Sequence, residues 1–360
     1  MKIALVGRYG EGEIVAGPER VARELYLQLK EQNVNVTFIE YFFSYYSDYT
    51  LLKKIFGNKI TNEGILKLGI LPLIFKLLKE RFNIIHFVNS QRFTLIIFFL
   101  KPFLKAKLIA TVHGFYKFEL PNVRRERQFL DLFTERFLIG KSNVIVFPSE
   151  LLLGVFSNEY SFYKQKFRVI PNGIGKEFSN ESITTDFNNE ISLIFYNAFD
   201  QAINKGLKNL VDELSAINYV SIKLFVIGIE EKIHHRNDNL EIIFKGFVNH
   251  RSLIKILEEV QFVIKSNAFE PFSIVVAECM TMGVIPIICE NTGIKDLVEN
   301  GVNGFIYESS VSNSLVRLLN DICSNKYDLS VISSNAKKIY EELNWEKVTK
   351  QYIFLYQSLI

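Results

Sequence analysis

The sequence predicts two α/β domains in tandem, each a parallel sheet covered by helices. Three observations carry this prediction. First, the β-rich runs KIALV (2–6), VTFIE (36–40), IIHFV (84–88), LIATV (108–112) and VIVFPS (144–149) are almost continuously apolar. Strands buried on both faces read this way, whereas half-exposed strands alternate. Second, helical patterns separate the runs. Between residues 20 and 31, Val21, Leu25 and Leu29 recur every four residues, with Ala22 and Tyr26 on the same face. Third, the alternation restarts after a polar stretch, SNESITTDFNNE (179–190), with SLIFYNA (192–198), IKLFVIG (222–228), LEIIFKG (240–246), FVIKSN (262–267), VIPIICE (284–290) and GFIYE (304–308). Rich in Ser, Thr and Asn, the polar stretch is the best linker in the sequence. A length of 360 residues also exceeds what one ordinary core organises.

Composition narrows the class. The chain is 48% hydrophobic and 22% charged, so it is globular rather than disordered. A net charge of +3 excludes a polyanion-binding field over the whole protein. Cys279, Cys289 and Cys323 are odd in number and lack metal-ligand spacing, which fits a reducing compartment. The opening MKIALVGRYG reads as a first strand rather than a signal peptide. FTLIIFFL (93–100), the longest apolar run, is too short to span a bilayer. These readings place the protein in the cytoplasm.

Ligands of such sheets bind at the carboxyl ends of strands, so candidate residues are sought there. In NKGLKNLVDELSAI, Lys205 and Gly206 precede a helix. Free N–H groups and the positive end of the helix dipole favour phosphate, and a lysine adds charge; a solvated lysine at a helix start is the plainer alternative. In VAGPER, Gly17 lets backbone approach a ligand, or simply permits a turn. GRYGEG (7–12) is not the dinucleotide fingerprint. His113 ends the run LIATV and is followed by Gly114, so it either faces a ligand or caps the loop. His86, inside IIHFV, reads as an interior histidine, and His234 and His235 fall in a polar loop. No Asp-x-Asp pair offers itself to a magnesium ion.

The stretch FEPFSIVVAECM (269–280) holds two carboxylates, Glu270 and Glu278. A strand ending near Asn267 and a helix starting near Ser273, a good N-cap residue, put Glu270 in the intervening loop and Glu278 inside the helix. Apolar neighbours argue against a solvated Glu278. The backbone amides of Phe272, Ser273 and Ile274 surround the helix start. Carboxylates accept paired hydrogen bonds from vicinal hydroxyls, which suits a sugar or a ribose.

Taken together, these residues resemble the retaining nucleotide-sugar glycosyltransferases of GT-B fold, the large group with bacterial mannosyl-, glucosyl- and rhamnosyltransferases. VAGPERVARELYLQLKEQNVNVTFIE resembles the family's glycine loop and first helix, ATVHG its histidine-ended strand, and RVIPNGIGKEF its interdomain segment. NKGLKNLVDEL is similar to its phosphate-binding helix, SNAFEPFSIVVAECMTMGVIPI to its paired-glutamate motif, and NWEKVTKQYIFLYQSL to its last helix. The match runs nearly end to end.

The resemblance implies a fold of two Rossmann-like domains: residues 1–170 for the acceptor, 171–343 for the nucleotide-sugar, and 344–360 as a helix packing back on the first. It implies that Gly17 and Lys205 bind the donor diphosphate, with the amides of Phe272, Ser273 and Ile274 at the donor. Glu278 would hold ribose hydroxyls, Glu270 the hydroxyls of the transferred sugar, and His113 would face the reacting sugar. No cofactor and no metal are implied; the donor is a nucleotide-diphosphate hexose and the acceptor a glycan, glycolipid or lipid-linked sugar of surface polysaccharide or glycoconjugate synthesis. The chain departs from the pattern at four places. The usual arginine before the lysine falls at Ala198, the glycine after Phe272 is Ser273, a loop glycine is Ala16, and an aspartate is Gly175. These departures keep open a catalytically degenerate partner subunit. A glycan phosphorylase is a third reading, against which stands the lack of a lysine suited to a pyridoxal cofactor.

Charge is unevenly spread. Residues 51–82 carry six lysines and Arg81 against Glu63 and Glu80, a net +5, and residues 92–107 add Arg92, Lys101, Lys105 and Lys107 with no acid. Interleaved with Leu, Ile and Phe, these segments are expected to contact an anionic membrane peripherally; ordinary core helices with solvated lysines are the alternative.

Overall fold

The computed structural model describes residues 1–10, 17–41, 50–89, 94–115, 125–179, 190–196, 206–229, 235–236, 238–266 and 269–360. The chain divides into two units, Met1–Asn172 with Trp345–Ile360, and Gly173–Asn344.

The first unit is built on an eight-stranded sheet in the order β3-β4-β2-β1-β5-β6-β7-β8. Its strands are β1 (Lys2–Val6), β2 (Asn35–Tyr41), β3 (Asn58–Ile60), β4 (Leu66–Leu68), β5 (Ile84–Phe87), β6 (Lys107–Thr111), β7 (Val144–Phe147) and β8 (Phe167–Val169). Every pairing is parallel except the edge hairpin of β3 with β4. The helices are α1 (Gly17–Glu31), α2 (Leu51–Phe56), α3 (Ile70–Lys79), α4 (Thr94–Phe99), α5 (Arg125–Lys141) and α6 (Glu150–Glu159), with a terminal helix, Trp345–Ser358. The step from β1 to β2 runs one way along the sheet, and those from β4 to β5, β5 to β6 and β6 to β7 run the other. Right-handed crossovers therefore put α1 on one face and α3, α4 and α5 on the opposite face.

Adjacent residues of β5 show both faces covered, as the continuous apolar runs require. His86 meets Tyr352 and Tyr356 of the terminal helix, which packs on α1. Phe87 meets Phe98 of α4, ring centroids 5.0 Å apart. His86 is the satisfied interior histidine that its setting in IIHFV predicts. Nδ1 lies 2.7 Å from the Tyr356 hydroxyl and Nε2 2.7 Å from Thr111 Oγ1.

The second unit repeats the plan with seven strands in the order β11-β12-β10-β9-β13-β14-β15. These are β9 (Glu190–Tyr196), β10 (Ser221–Ile227), β11 (His235–Arg236), β12 (Leu240–Gly246), β13 (Phe262–Lys265), β14 (Ile285–Cys289) and β15 (Phe305–Tyr307). Only β11 is antiparallel to its neighbour. Its helices are α7 (Leu207–Ser215), α8 (His250–Leu257), α9 (Ile274–Met282), α10 (Ser314–Cys323), α11 (Leu329–Lys337) and α12 (Ile339–Leu343). Along β9, Leu193 and Phe195 pack in one layer with Leu210 and Leu214 of α7, while Ile194 packs in the other with Val276 and Met280 of α9.

Two sequence expectations need correction here. The units divide at Asn172–Gly173, within two residues of the 170/171 boundary that the resemblance implies and not in the polar stretch 179–190 that composition marks. Ile174 already donates its N–H to the Leu343 carbonyl at 2.8 Å, and Phe178 is buried in the second core. Residues 180–189 of the expected linker lie outside the described residues. His235 is in a short edge strand rather than a polar loop, because Ile242 and Glu241 pair with β11. His234 lies outside the described residues. Among the described residues no helix is long and apolar enough to cross a membrane.

Candidate functional site

In the first unit the candidate residues gather where strands end. At the carboxyl end of β1, Gly7 is pressed against Asn89, and a Cβ there would come within 2.4 Å of Asn89 Oδ1. Asn89 follows β5 and joins the two strand ends. Its Oδ1 accepts from the Arg8 N–H at 2.8 Å, and its Nδ2 donates to the Arg8 carbonyl at 3.1 Å. The Arg8 guanidinium pairs with Glu19 in the first turn of α1 at 2.7 Å. Gly17 opens that helix and is exposed. Ala16 lies outside the described residues.

His113, two residues past the end of β6, is half-buried. Nε2 lies 2.8 Å from the Val88 carbonyl, which can only accept, so Nε2 carries the proton and Nδ1 is an acceptor. Burial pushes its pKa down to about 4, against the opposing pull of that carbonyl. Burial, together with the nearby His113, pushes His86 down to about 3. Both rings are therefore neutral at pH 7.

The second unit places its candidates at the carboxyl ends of β9 and β13. Gly206, at φ +88° before α7, is irreplaceable by geometry: a Cβ would sit 2.1 Å from the Ser266 carbonyl oxygen. The start of α7 is thereby fixed against the end of β13. Lys205 and Ala198 lie outside the described residues, as does Asn267.

Glu270 is held at both ends of its peptide. Its N–H donates to the Asn291 carbonyl at 3.0 Å, and its carbonyl accepts from Gly293 at 2.8 Å. Its carboxylate, 19% exposed, stands 3.2 Å from Nζ of Lys265. Lys265 is 7% exposed at the end of β13, and its ammonium also donates to the Tyr196 carbonyl at 3.1 Å. A buried ammonium needs such a set of acceptors. Motif reasoning missed Lys265, because in FVIKSN it looks like the polar end of a strand. It missed Arg8 and Asn89 for the same reason: only the fold reveals what they bracket.

Helix α9 starts beyond Phe272 and Ser273, both buried, with Ile274 as its first residue. Ser273 is not the hydroxyl cap that its residue type predicts. It lies at φ +75° and makes no side-chain cap bond, so it occupies a left-handed position suited to glycine. Glu278 is 1% exposed, amid buried Val276, Ala277, Cys279 and Met280. A carboxylate is thus carried in the core about a turn from the helix start. The start of α9 can donate to an anion, and the carboxylate of Glu270, set by Lys265, can accept from sugar hydroxyls. A cavity of about 480 Å³ in the same unit, lined by Glu190, Tyr219, Gln261 and Cys323, lies instead at the amino ends of β9, β10 and β13.

Residues 180–339 match the family model described as glycosyl transferases group 1, and residues 15–178 match glycosyltransferase family 4. A glycosyltransferase of Methanocaldococcus jannaschii, MJ1607, is 26% identical over 166 residues, 42% of this chain and 42% of that relative. Among solved structures, sucrose-phosphate synthase from Thermosynechococcus elongatus superposes with a TM-score of 0.74 at 16% identity, covering 99% of this chain and 98% of the other. Anabaena HepE in complex with UDP-glucose superposes with a TM-score of 0.70 at 17% identity, covering 99% and 100%.

Proposed function

The chain belongs to the GT-B glycosyltransferases, and from that premise we propose that it moves a hexose from a nucleotide-diphosphate sugar, with retention, to a glycan or lipid-linked acceptor. The acceptor would belong to surface polysaccharide or glycoconjugate synthesis. The observation that carries the reading is the pair of carboxylates flanking the start of α9, with Glu278 1% exposed and Glu270 set by Lys265. Glu278 holds the ribose hydroxyls and Glu270 those of the sugar. The HepE complex, which contains UDP-glucose, supports a nucleotide-sugar donor.

In this reading the bond from the anomeric carbon to the diphosphate oxygen breaks, and the acceptor oxygen bonds to the same face of that carbon. The departing diphosphate takes the acceptor's proton. Lys205 and the N–H groups opening α7 stabilise the charge that builds on it. No metal is needed for that task, because a cation and a helix N-terminus supply the charge. His113, protonated at Nε2 and neutral, accepts a sugar hydroxyl at Nδ1 and does not act as an acid. Lys265 is a positioning residue: it fixes the carboxylate of Glu270.

The test is a screen of UDP-, GDP-, ADP- and dTDP-hexoses by thermal shift and donor hydrolysis. One donor should raise the melting temperature and be hydrolysed. No shift and no hydrolysis with any would overturn the reading. The absence of the usual arginine at Ala198 favours one alternative, a degenerate partner subunit, which would bind nucleotide without turnover.

A further inference from the structure

We propose that the sheet face of the first unit carrying α2 to α5 docks on an anionic lipid bilayer, which deepens the reading above by making the acceptor membrane-borne. Helix α3 is apolar on two sides. Leu73 and Leu77 are buried inward, while Leu71, Phe75 and Leu78, at i, i+4 and i+7, are 48%, 65% and 44% exposed. A core helix needs only the first set. Helix α2 packs on α3 and buries none of its residues, leaving Leu51, Leu52 and Phe56 exposed.

The same pattern recurs on α4 and α5. Phe99 is 65% and Phe133 46% exposed, and their rings lie 5.3 Å and 5.9 Å from that of Phe137. Phe103, just beyond α4, is 74% exposed. Right-handed crossovers put α3, α4 and α5 on one face of the sheet, opposite α1, so these side chains form one surface. In the second unit Phe247, at 40%, is the most exposed of the described phenylalanines.

Cations accompany the rings. Lys79 Nζ lies 5.4 Å from the Phe75 ring centre and Lys141 Nζ 5.7 Å from that of Phe137. Lys101 donates to the Lys141 carbonyl, and Lys166 to the Gly140 carbonyl. Residues 51–82 carry a net +5. Rings spread over several helices and edged by lysines match a fluid apolar phase beneath anionic headgroups. Rings sink into the acyl boundary while the ammonium groups stay at the phosphates.

The test is co-sedimentation of the full chain with vesicles of phosphatidylcholine alone, and of phosphatidylcholine with phosphatidylglycerol. Binding should occur on the second kind only and be released by about 0.5 M salt. Lys79→Ala and Lys141→Ala should each weaken it about fivefold. Phe75→Ser and Phe99→Ser should each weaken it about tenfold with an unchanged melting temperature, both rings being mostly exposed. No pelleting, equal pelleting on both vesicles, or pelleting insensitive to the phenylalanine variants would overturn the proposal. So would a concentration-dependent dimer abolished by Phe75→Ser, which would assign the face to a second copy. Donor hydrolysis without vesicles separates the two readings. If the donor is hydrolysed and vesicles are not bound, the docking alone fails. If vesicles are bound and no donor is hydrolysed, the docking stands and the transferase reading fails.

Discussion

At the carboxyl end of β13 in the second unit, Lys265 and Glu270 stand 3.2 Å apart and Glu278 is buried a few residues on. In the first unit Arg8 pairs with Glu19 past the end of β1, whereas His86 in β5 and His113 past β6 are both held neutral by burial. The two sheets share a plan, yet the second holds a buried lysine and carboxylates past β13 where the first holds neutral imidazoles at β5 and β6. Under the proposed transfer this contrast is a division of labour. A nucleoside diphosphate and sugar hydroxyls need fixed charges and acceptors, and these cost desolvation, which the helix N-termini and the lysine offset. A surface that receives a neutral sugar needs shape and neutral hydrogen-bonding groups.

The largest expected effect tests the charged half. Lys205→Ala should cut turnover on the order of 100- to 1000-fold while the protein stays folded, since a contact to developing charge is lost. A near-normal turnover number would break the contrast. Next, Glu278→Gln should weaken nucleoside diphosphate binding by roughly tenfold or more in calorimetry, whereas Glu270→Gln should hardly change it. Equal losses would deny the division between ribose and sugar. Lys265→Met should lower turnover by about tenfold and leave nucleotide affinity nearly intact, as expected of a residue that only orients Glu270.

The neutral imidazoles are tested by acid. Folded His86 and His113 have pKa values of about 3 and about 4, below the 6.5 of an unfolded histidine. Between those values and 6.5 the unfolded chain binds more protons. Stability is therefore fully present above pH 6.5 and falls as pH drops toward 4 and then 3. At pH 5.5 the loss should be about 1.4 kcal/mol for each histidine. Unfolding midpoints at pH 7 and 5.5 check this, and His86→Asn should remove about half of the difference. A flat profile would show that the histidines are not kept neutral.

Smaller still, Ser273→Gly should stabilise by about 1 kcal/mol, because glycine adopts the left-handed conformation without strain. That is a rise of roughly 2–4 °C in Tm. The smallest expected effect is none. EDTA should leave transfer unchanged, and loss restored by magnesium would add an ion to the charged half.

How much of this was legible beforehand depended on whether a residue's signal was local. The strands of both sheets could be read because burial on both faces makes their runs continuously apolar. The short strands β3, β4, β8 and β11 each contain a cation, Lys59, Lys67, Arg168 and Arg236, which interrupts any apolar run. Glu278 could be singled out because its apolar neighbours leave no solvated face for it. Lys265 could not, since its acceptor on Tyr196 lies 69 positions away and only the pairing of β9 with β13 brings it near. Asn89 is 81 positions from Arg8 and was invisible for the same reason. Composition marks the polar stretch 179–190 instead of the division at Asn172–Gly173, which the family resemblance places within two residues and which lies where Ile174 pairs with Asn344.

The second unit is one uninterrupted segment, Gly173–Asn344, and near its two ends Ile174 donates to Leu343 at 2.8 Å. A segment whose ends meet is, in topological terms, an insertion in the chain that surrounds it. It can be exchanged as a cassette: the recipient sees the same pair of neighbouring attachment points whatever the segment encloses. A shuffled gene could therefore acquire a different second unit while keeping its own first unit, with only two junctions to repair.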